Sequence, residues 1–152
     1  MPKLDYSAEF DDKVTAKAMG KELRISPKDS MEICRAIKDL PLKNAKKLLK
    51  AVGRKEKSIP YSRHRGKTAH RKGSGQSAGR YPVKAARKIL DVLNNAEANA
   101  EYKGMDPERL KVIHASAQKG ITIPGFKPRA YGRATPFNTK TTNVEIIVEE
   151  VQ

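Results

Sequence analysis

Between Arg54 and Lys88 the chain places twelve lysines and arginines against a single acid, Glu56, so eleven of its fifteen net positive charges fall in under a quarter of its length. The chemistry open to such a segment is neutralisation of a polyanion. Each Lys or Arg that meets a phosphate releases condensed counterions and gains affinity, and the company of Gly, Ser, His and Tyr gives the segment the character of a nucleic-acid contact region. The competing interpretation is a solvated basic tail or a localisation signal. The candidate contacts are Arg54, Lys55, Arg63, His64, Arg65, Lys67, His70, Arg71, Lys72, Arg80, Lys84, Arg87 and Lys88.

A second segment, Ile121 to Thr142, holds Lys127, Arg129, Arg133 and Lys140 with no acid, together with Phe126, Tyr131, Phe137, three prolines and two glycines. Catalytic patterns fare worse. Gly66-Lys67-Thr68 imitates the end of a phosphate-binding loop, but the first glycine it requires falls at Tyr61 and no apolar strand leads into it. Gly73-Ser74-Gly75-Gln76-Ser77-Ala78 fits a dinucleotide fingerprint as a string, without the preceding strand or the helix that must open within it. His64 and His70 have a zinc-finger spacing without the paired cysteines, and His114 suits a strand face better than a metal. No nucleophile pairs with a base by spacing, so no enzyme, cofactor or metal is expected.

The elements that must position these charges follow from apolar periodicity. Val14, Ala16 and Ala18 alternate with Thr15 and Lys17 as in a half-buried strand over Lys13 to Ala18. Ser26-Pro27 with Asp29 supplies a hydroxyl cap, a first-turn proline and an acid at the positive end of the dipole, which predicts a helix striped by Met31, Ile33, Cys34, Ile37 and Leu40 and closed by Pro41. Leu42, Ala45, Leu48, Leu49 and Val52 form a second stripe ending at Gly53, with Lys43, Lys46, Lys47 and Lys50 either solvated or turned to nucleic acid. From Gly53 to Arg80 no apolar period survives, which predicts a long loop ordered by phosphates rather than by a core. Tyr61 and Tyr81 at its ends fit stacking on bases and plugging the core edge equally well.

Pro82 opens the strongest helix, with Val83, Ala86, Ile89, Leu90, Leu93, Ala96 and Ala100 on one face. Its first turns carry Lys84, Arg87 and Lys88, and cations there oppose the helix dipole by a few tenths of a kcal/mol or more each, so an anion is wanted nearby. Leu110 to Ala117 and Asn143 to Val151 read as strands, with Val144, Ile146 and Val148 opposed to Glu145, Ile147 and Glu149. Paired antiparallel, they make a hairpin of ~15 residues per arm that could run roughly 50 Å. A compact chain of this size has a radius of gyration of only about 15 Å, so the arm should leave the globule, where an isolated ribbon needs a partner around it.

Composition sets the frame: 152 residues, 38% hydrophobic, 5% aromatic and no Trp fit one ordinary domain with extensions outside its core. The single cysteine, Cys34, excludes an internal disulfide and fits a reducing compartment. Met1 to Asp12 is acidic and unlike a signal peptide, and no run approaches the ~20 apolar residues of a membrane span, so a cytoplasmic protein is expected.

Two octapeptides carry a resemblance. Asn94-Asn95-Ala96-Glu97-Ala98-Asn99-Ala100-Glu101 and Lys127-Pro128-Arg129-Ala130-Tyr131-Gly132-Arg133-Ala134 resemble the universal large-subunit ribosomal protein family numbered twenty-two, and the order of elements agrees across essentially the whole chain. The basic insertion with Pro60-Tyr61 and Gly79-Arg80-Tyr81-Pro82 is similar to the archaeal and eukaryotic cytoplasmic branch, since bacterial members lack it.

The resemblance implies an α+β fold: three helices packed on a small antiparallel sheet, with a basic loop insertion and a long extended β-hairpin. It implies one domain over residues 1–152, with the insertion at 53–81 and the arm at about 110–150, its tip near 127–134. The function implied is binding and bridging large-subunit ribosomal RNA during assembly, with neighbouring ribosomal proteins as partners and the hairpin lining the tunnel through which nascent polypeptide leaves. Lys127, Arg129, Tyr131, Gly132, Arg133 and Lys140 are the arm residues implied. Tyr131 stands where bacterial members usually carry a basic residue, and Ile121 to Phe126 is uncharged where relatives are often basic, so packing and stacking should share the work there. A DNA-architectural protein and an RNA-modifying enzyme are the alternatives from other classes.

Overall fold

A computed structural model describes residues 6–72 and 75–151. In chain order the elements are β1 (Thr15–Leu23), α1 (Pro27–Ile37), α2 (Leu42–Gly53), β2 (Ile59–Pro60), β3 (His70–Arg71), β4 (Gln76–Arg80), α3 (Val83–Tyr102), β5 (Leu110–Ile123), β6 (Phe126–Pro128), β7 (Ala134–Pro136) and β8 (Thr139–Glu150). The chain is α+β, with its helices gathered on one face of an antiparallel sheet ordered β1-β8-β5. Among the described residues no helix is long and apolar enough to cross a membrane.

Helix α1 starts where its cap requires: the Ser26 hydroxyl accepts the Asp29 backbone N–H at 3.4 Å and Pro27 sets the first turn. It ends at Ile37, before the Pro41 stop that the pattern suggests. Asp39 turns left-handed (φ 64), its N–H donates to the Val112 carbonyl at 2.8 Å, and the Val112 N–H donates to the Leu40 carbonyl at 3.0 Å. Bonding to the outer strand β5 thus replaces the last helical turn, and Leu40 packs beside the helix rather than within it. In α2, Leu42, Ala45, Leu49 and Val52 are buried as the stripe requires. Gly53 stays helical, and the left-handed exit falls instead on Lys55 (φ 63).

Strand β8 is the middle of the sheet and is buried on both faces. Its helix-side residues Val148, Ile146 and Val144 lie opposite Ala16, Ala18 and Gly20 of β1, and opposite Val112, Ala115 and Ala117 of β5. Small residues on β1 let α3 come close: a Cβ at Gly20 would sit 2.8 Å from Val92 Cγ2. The far face carries Glu145 and Ile147, at 3% and 0% exposure, because the amino-terminal segment crosses it. Ser7 donates its N–H and its hydroxyl to the Glu145 carboxylate at 3.0 and 2.6 Å, the Phe10 ring leans on His114, and the Lys17 ammonium lies over Tyr6. The first strand runs Thr15–Leu23 rather than 13–18, and Val14 is exposed.

The insertion is not the structureless loop that its composition suggests. Strands β2, β4 and β3 form a small sheet in that order, and Ile59, Tyr61 and Ala78 are buried. Strands of two, two and five residues are too short to show a period, which is why no pattern announced them. The tie to the globule is Glu32 of α1, a charged residue only 2% exposed. Its carboxylate accepts the backbone N–H groups of Ser62 (3.2 Å), Arg63 (2.8 Å) and His64 (2.7 Å). Burial alone pushes this carboxyl up, but the N–H groups of His64, Ser62 and Arg63, with the Ser62 hydroxyl, outweigh it and hold the group below its ordinary value. Beside it the Tyr61 hydroxyl donates to Asp29 Oδ1 at 2.6 Å.

Glu32→Gln puts an amide N–H₂ where donors already converge, and should lower the free energy of unfolding by about 1–3 kcal/mol in chemical denaturation. Because the folded carboxyl titrates below the unfolded one, its stabilisation is complete above the unfolded pKa of ~4.3 and is lost as pH falls through the folded value. Wild type and variant should therefore differ most near neutral pH and converge in acid; a difference independent of pH would contradict the anchor.

Candidate nucleic-acid interface

Most of the candidate phosphate contacts stand in solvent. Arg54 and Lys55 lie at the exit of α2; Arg63, Arg65, Lys67, His70 and Lys72 lie along the insertion; Arg80 ends β4; and Lys84, Arg87 and Lys88 project from the first turns of α3, all exposed. Arg54 reaches Glu56 and Lys88 reaches Asp91 only at 3.9 and 3.8 Å with exposed side chains, pairings that water and salt readily exchange for a phosphate. His64 and Arg71 are half-buried and serve the insertion itself. His64 gives its backbone N–H to Glu32, while Arg71 Nε donates to the Gly79 carbonyl at 2.9 Å and its guanidinium lies 4.9 Å from the Tyr81 ring.

The two tyrosines differ in what they touch. Tyr61 is 4% exposed, its phenol is pushed up by burial and by the Asp29 hydrogen bond, and the Arg80 guanidinium caps its ring at 5.9 Å, so it plugs the core edge. Tyr81 is half-buried under Arg71. The α2 lysines also divide: Lys46 pairs with Glu97 of α3 and is taken up structurally, whereas Lys47 and Lys50 are exposed.

From Ile121 to Lys140 every side chain is exposed except at half-buried Gly125, so this stretch of the hairpin leaves the globule. Leu110–Ala117 and Thr142–Glu150 belong to the main sheet, which makes the free arm shorter than the strands that feed it. At the tip the Arg129 N–H donates to the Arg133 carbonyl at 2.8 Å, and the chain reverses through Tyr131 (φ 60) and Gly132 (φ 64). Left-handed backbone suits Gly132 and strains Tyr131, whose ring is 95% exposed. Arg129 Nε donates to Thr135 Oγ1 and the Lys127 ammonium lies over Phe137, so these two cations are aimed along the ribbon, while Arg133 is exposed beside the turn.

The two basic regions meet at the root of the arm. A groove of about 640 Å³ is lined by Arg24, Ile25, Ser26, Pro27, Lys84, Asn138, Thr139 and Lys140. Lys84 comes from the start of α3 and Lys140 from the arm, far apart in sequence; Arg24, which sequence reasoning missed, joins them beside the amino-terminal end of α1. Among the described residues no carboxylate lines this groove. The cations gathered there can hold a phosphate. Arg35 and Lys38, on α1 and at its end, were missed as well, since single basic residues on an amphipathic helix look like ordinary solvated charge. Acids collect at the opposite end of the sheet: Asp11 and Asp12 before β1, Glu101 on α3, Asp106 and Glu108 before β5, and Glu149 and Glu150 closing β8.

The catalytic look-alikes do not gather into a site. Lys67 (φ 57) lies in an exposed turn closed by the Thr68 N–H on the Arg65 carbonyl. Of the dinucleotide-like string, Gly73 and Ser74 lie outside the described residues, and Gln76–Ala78 is strand rather than the opening of a helix. Cys34 is buried, and burial pushes its thiol up to about 12, so it is a core residue without thiolate character.

Known proteins match the sequence of this chain over nearly its whole length. Residues 18–149, from β1 to the end of β8, match the family described as Ribosomal protein L22p/L17e. The protein named large ribosomal subunit protein uL22 from Methanopyrus kandleri is 57% identical over 144 residues, covering 93% of this chain and 91% of that one. Proteins of the same name from Archaeoglobus fulgidus and Methanococcoides burtonii are 49% and 47% identical, the first covering 98% of this chain and 97% of its own, the second 100% of both. All three are archaeal, within the archaeal and eukaryotic cytoplasmic branch that the basic insertion resembles. The chain belongs to the L22p/L17e family of ribosomal proteins.

Proposed function

We propose that this protein is a structural, non-catalytic constituent of the large ribosomal subunit, where it binds large-subunit ribosomal RNA and ties separate RNA segments together during assembly. The observation that carries this is the meeting of Arg24, Lys84 and Lys140 in one groove without a carboxylate among its described residues, which joins the basic insertion to the root of the arm. An RNA strand held there is held by both surfaces at once. Arginine forks at Arg63, Arg65 and Arg80 can each span two phosphate oxygens, a geometry suited to clamping backbone. The carboxylates at the opposite end of the sheet orient the molecule in the field of a polyanion before contact.

The arm completes the reading. Its exposed course and sparing use of cations suit insertion among RNA and protein, with Tyr131 and Arg133 presented at its end; by family resemblance this tip lines the exit tunnel and meets nascent polypeptide. The place of action is then the ribosome in the cytoplasm, with neighbouring ribosomal proteins as further partners.

Replacing Arg63, Arg65, Lys67 and Lys72 together by Gln should weaken binding to folded large-subunit ribosomal RNA and flatten the plot of log affinity against log salt by about 0.7–0.9 for each phosphate no longer neutralised. An unchanged slope would make the insertion a bystander. For the arm, Ala130→Cys carries a photoreactive group selectively, because Cys34 is buried and protonated. In ribosomes stalled during elongation, illumination should give adducts with the nascent chain; adducts with RNA and ribosomal proteins alone would remove the tip from the tunnel.

A further inference from the structure

A second groove, of about 300 Å³, lies between α1 and β5 on the side that the insertion overhangs. Its origin is a change of side-chain size within the sheet. Where β8 presents Ile146 and Val144, the outer strand β5 presents Ala115 and Ala117 at the paired positions, and these short side chains leave space beside α1 unfilled. Half-buried Met31, buried Cys34 and the two alanines make an apolar floor. The rim is cationic: Arg35 and Lys38 from the α1 side, Arg63 from the insertion, all exposed. Glu32 also lines the groove; its oxygens accept the backbone N–H groups of Ser62, Arg63 and His64, so they are already bonded, and its one negative charge is outnumbered by the three cations of the rim. Arg35 Nη1 donates to the Ser62 hydroxyl, which braces the guanidinium against the insertion.

We propose that this groove takes a single unstacked nucleotide of the bound RNA, its base on the apolar floor and its phosphate on the cationic rim. The inference rests on the RNA-binding function proposed above and adds to it a place where one base is read. The volume lies at the lower end of what ligand pockets occupy, and is too small for a helix of about 10–12 Å diameter. Single-stranded RNA is recognised by splaying a base out of its stack onto a flat or apolar surface, often an arginine plane, and Arg35 and Arg63 supply such planes at the edge. A rim of three cations beside a satisfied carboxylate favours a phosphodiester over a peptide side chain.

The test uses the full-length chain, ¹⁵N-labelled, titrated with nucleoside 5′-monophosphates and in parallel with ribose 5-phosphate, which has the phosphate without the base. Nucleotides should move the amides of Met31 and of Ala115 to Ala117 saturably, at concentrations about tenfold below those at which ribose 5-phosphate acts. Ala117→Leu, which fills the floor, should abolish those shifts, with Ala115→Val as the second variant should the first fold poorly by circular dichroism. Equal responses to nucleotide and ribose 5-phosphate, or nucleotide shifts that survive in the folded floor variants, would overturn the proposal. Intact affinity for ribosomal RNA with no groove response would sink the groove and leave the broader function standing. Groove shifts in a protein that fails to bind ribosomal RNA would support the groove and sink the broader function.

Discussion

The structure turns on one carboxylate. A segment with eleven net positive charges repels itself and has few apolar residues with which to fold, yet it must hold its cations at fixed distances to be useful. Glu32 supplies the local anion, and it acts through backbone N–H groups rather than through lysine or arginine side chains. That choice leaves the side-chain charges of the insertion available. Hydrogen bonds to an ionised group are stronger than neutral ones, and three of them on a nearly buried carboxylate offset its desolvation. From this anchor the rest follows: Tyr61 drops onto Asp29, Ile59 enters the core, β4 pairs with β2 and β3, and Arg63 is set above the groove beside α1.

The arm depends on a comparable anchoring within the sheet. Strand β8 is buried on both faces at its globular end, so it enters the arm from a position already fixed by β1, β5, the helices and the amino-terminal segment. An isolated ribbon is marginal, but a ribbon extending a packed central strand inherits its register and direction. Preorganisation of this kind lowers the ordering cost at association for both the insertion and the root of the arm.

Much of this was legible in the residues. The Ser26-Pro27 cap, the Leu42 to Val52 stripe, the long third helix and the opposed faces of β8 follow from local rules that packing did not override. The insertion's sheet was not legible, because its strands are too short to display a period and its tie to the core is an acid. A Glu among polar neighbours on a helix is read as solvated, and only the fold shows that three backbone donors approach it. The same blindness hid Arg24, Arg35 and Lys38, whose partners in each groove come from distant parts of the chain. Gly53 misled in the opposite sense: a glycine near a helix end usually takes the left-handed turn, but here the hydrogen bonds of Arg54 carry the helix past it and Lys55 takes the strain. Ile147 on the polar face of β8 was an exception to alternation that the overlying amino-terminal segment explains.

If Glu32 anchors the insertion as described, the insertion is folded before any RNA arrives. Hydrogen exchange of the Ser62, Arg63 and His64 amides in the free chain tests this most directly. These three are expected to exchange at least about a hundredfold more slowly than an unfolded chain, and Glu32→Gln should remove the protection locally while β8 stays protected. Exchange of the three at unfolded rates in the free wild-type chain, with protection arising only on RNA binding, would contradict it.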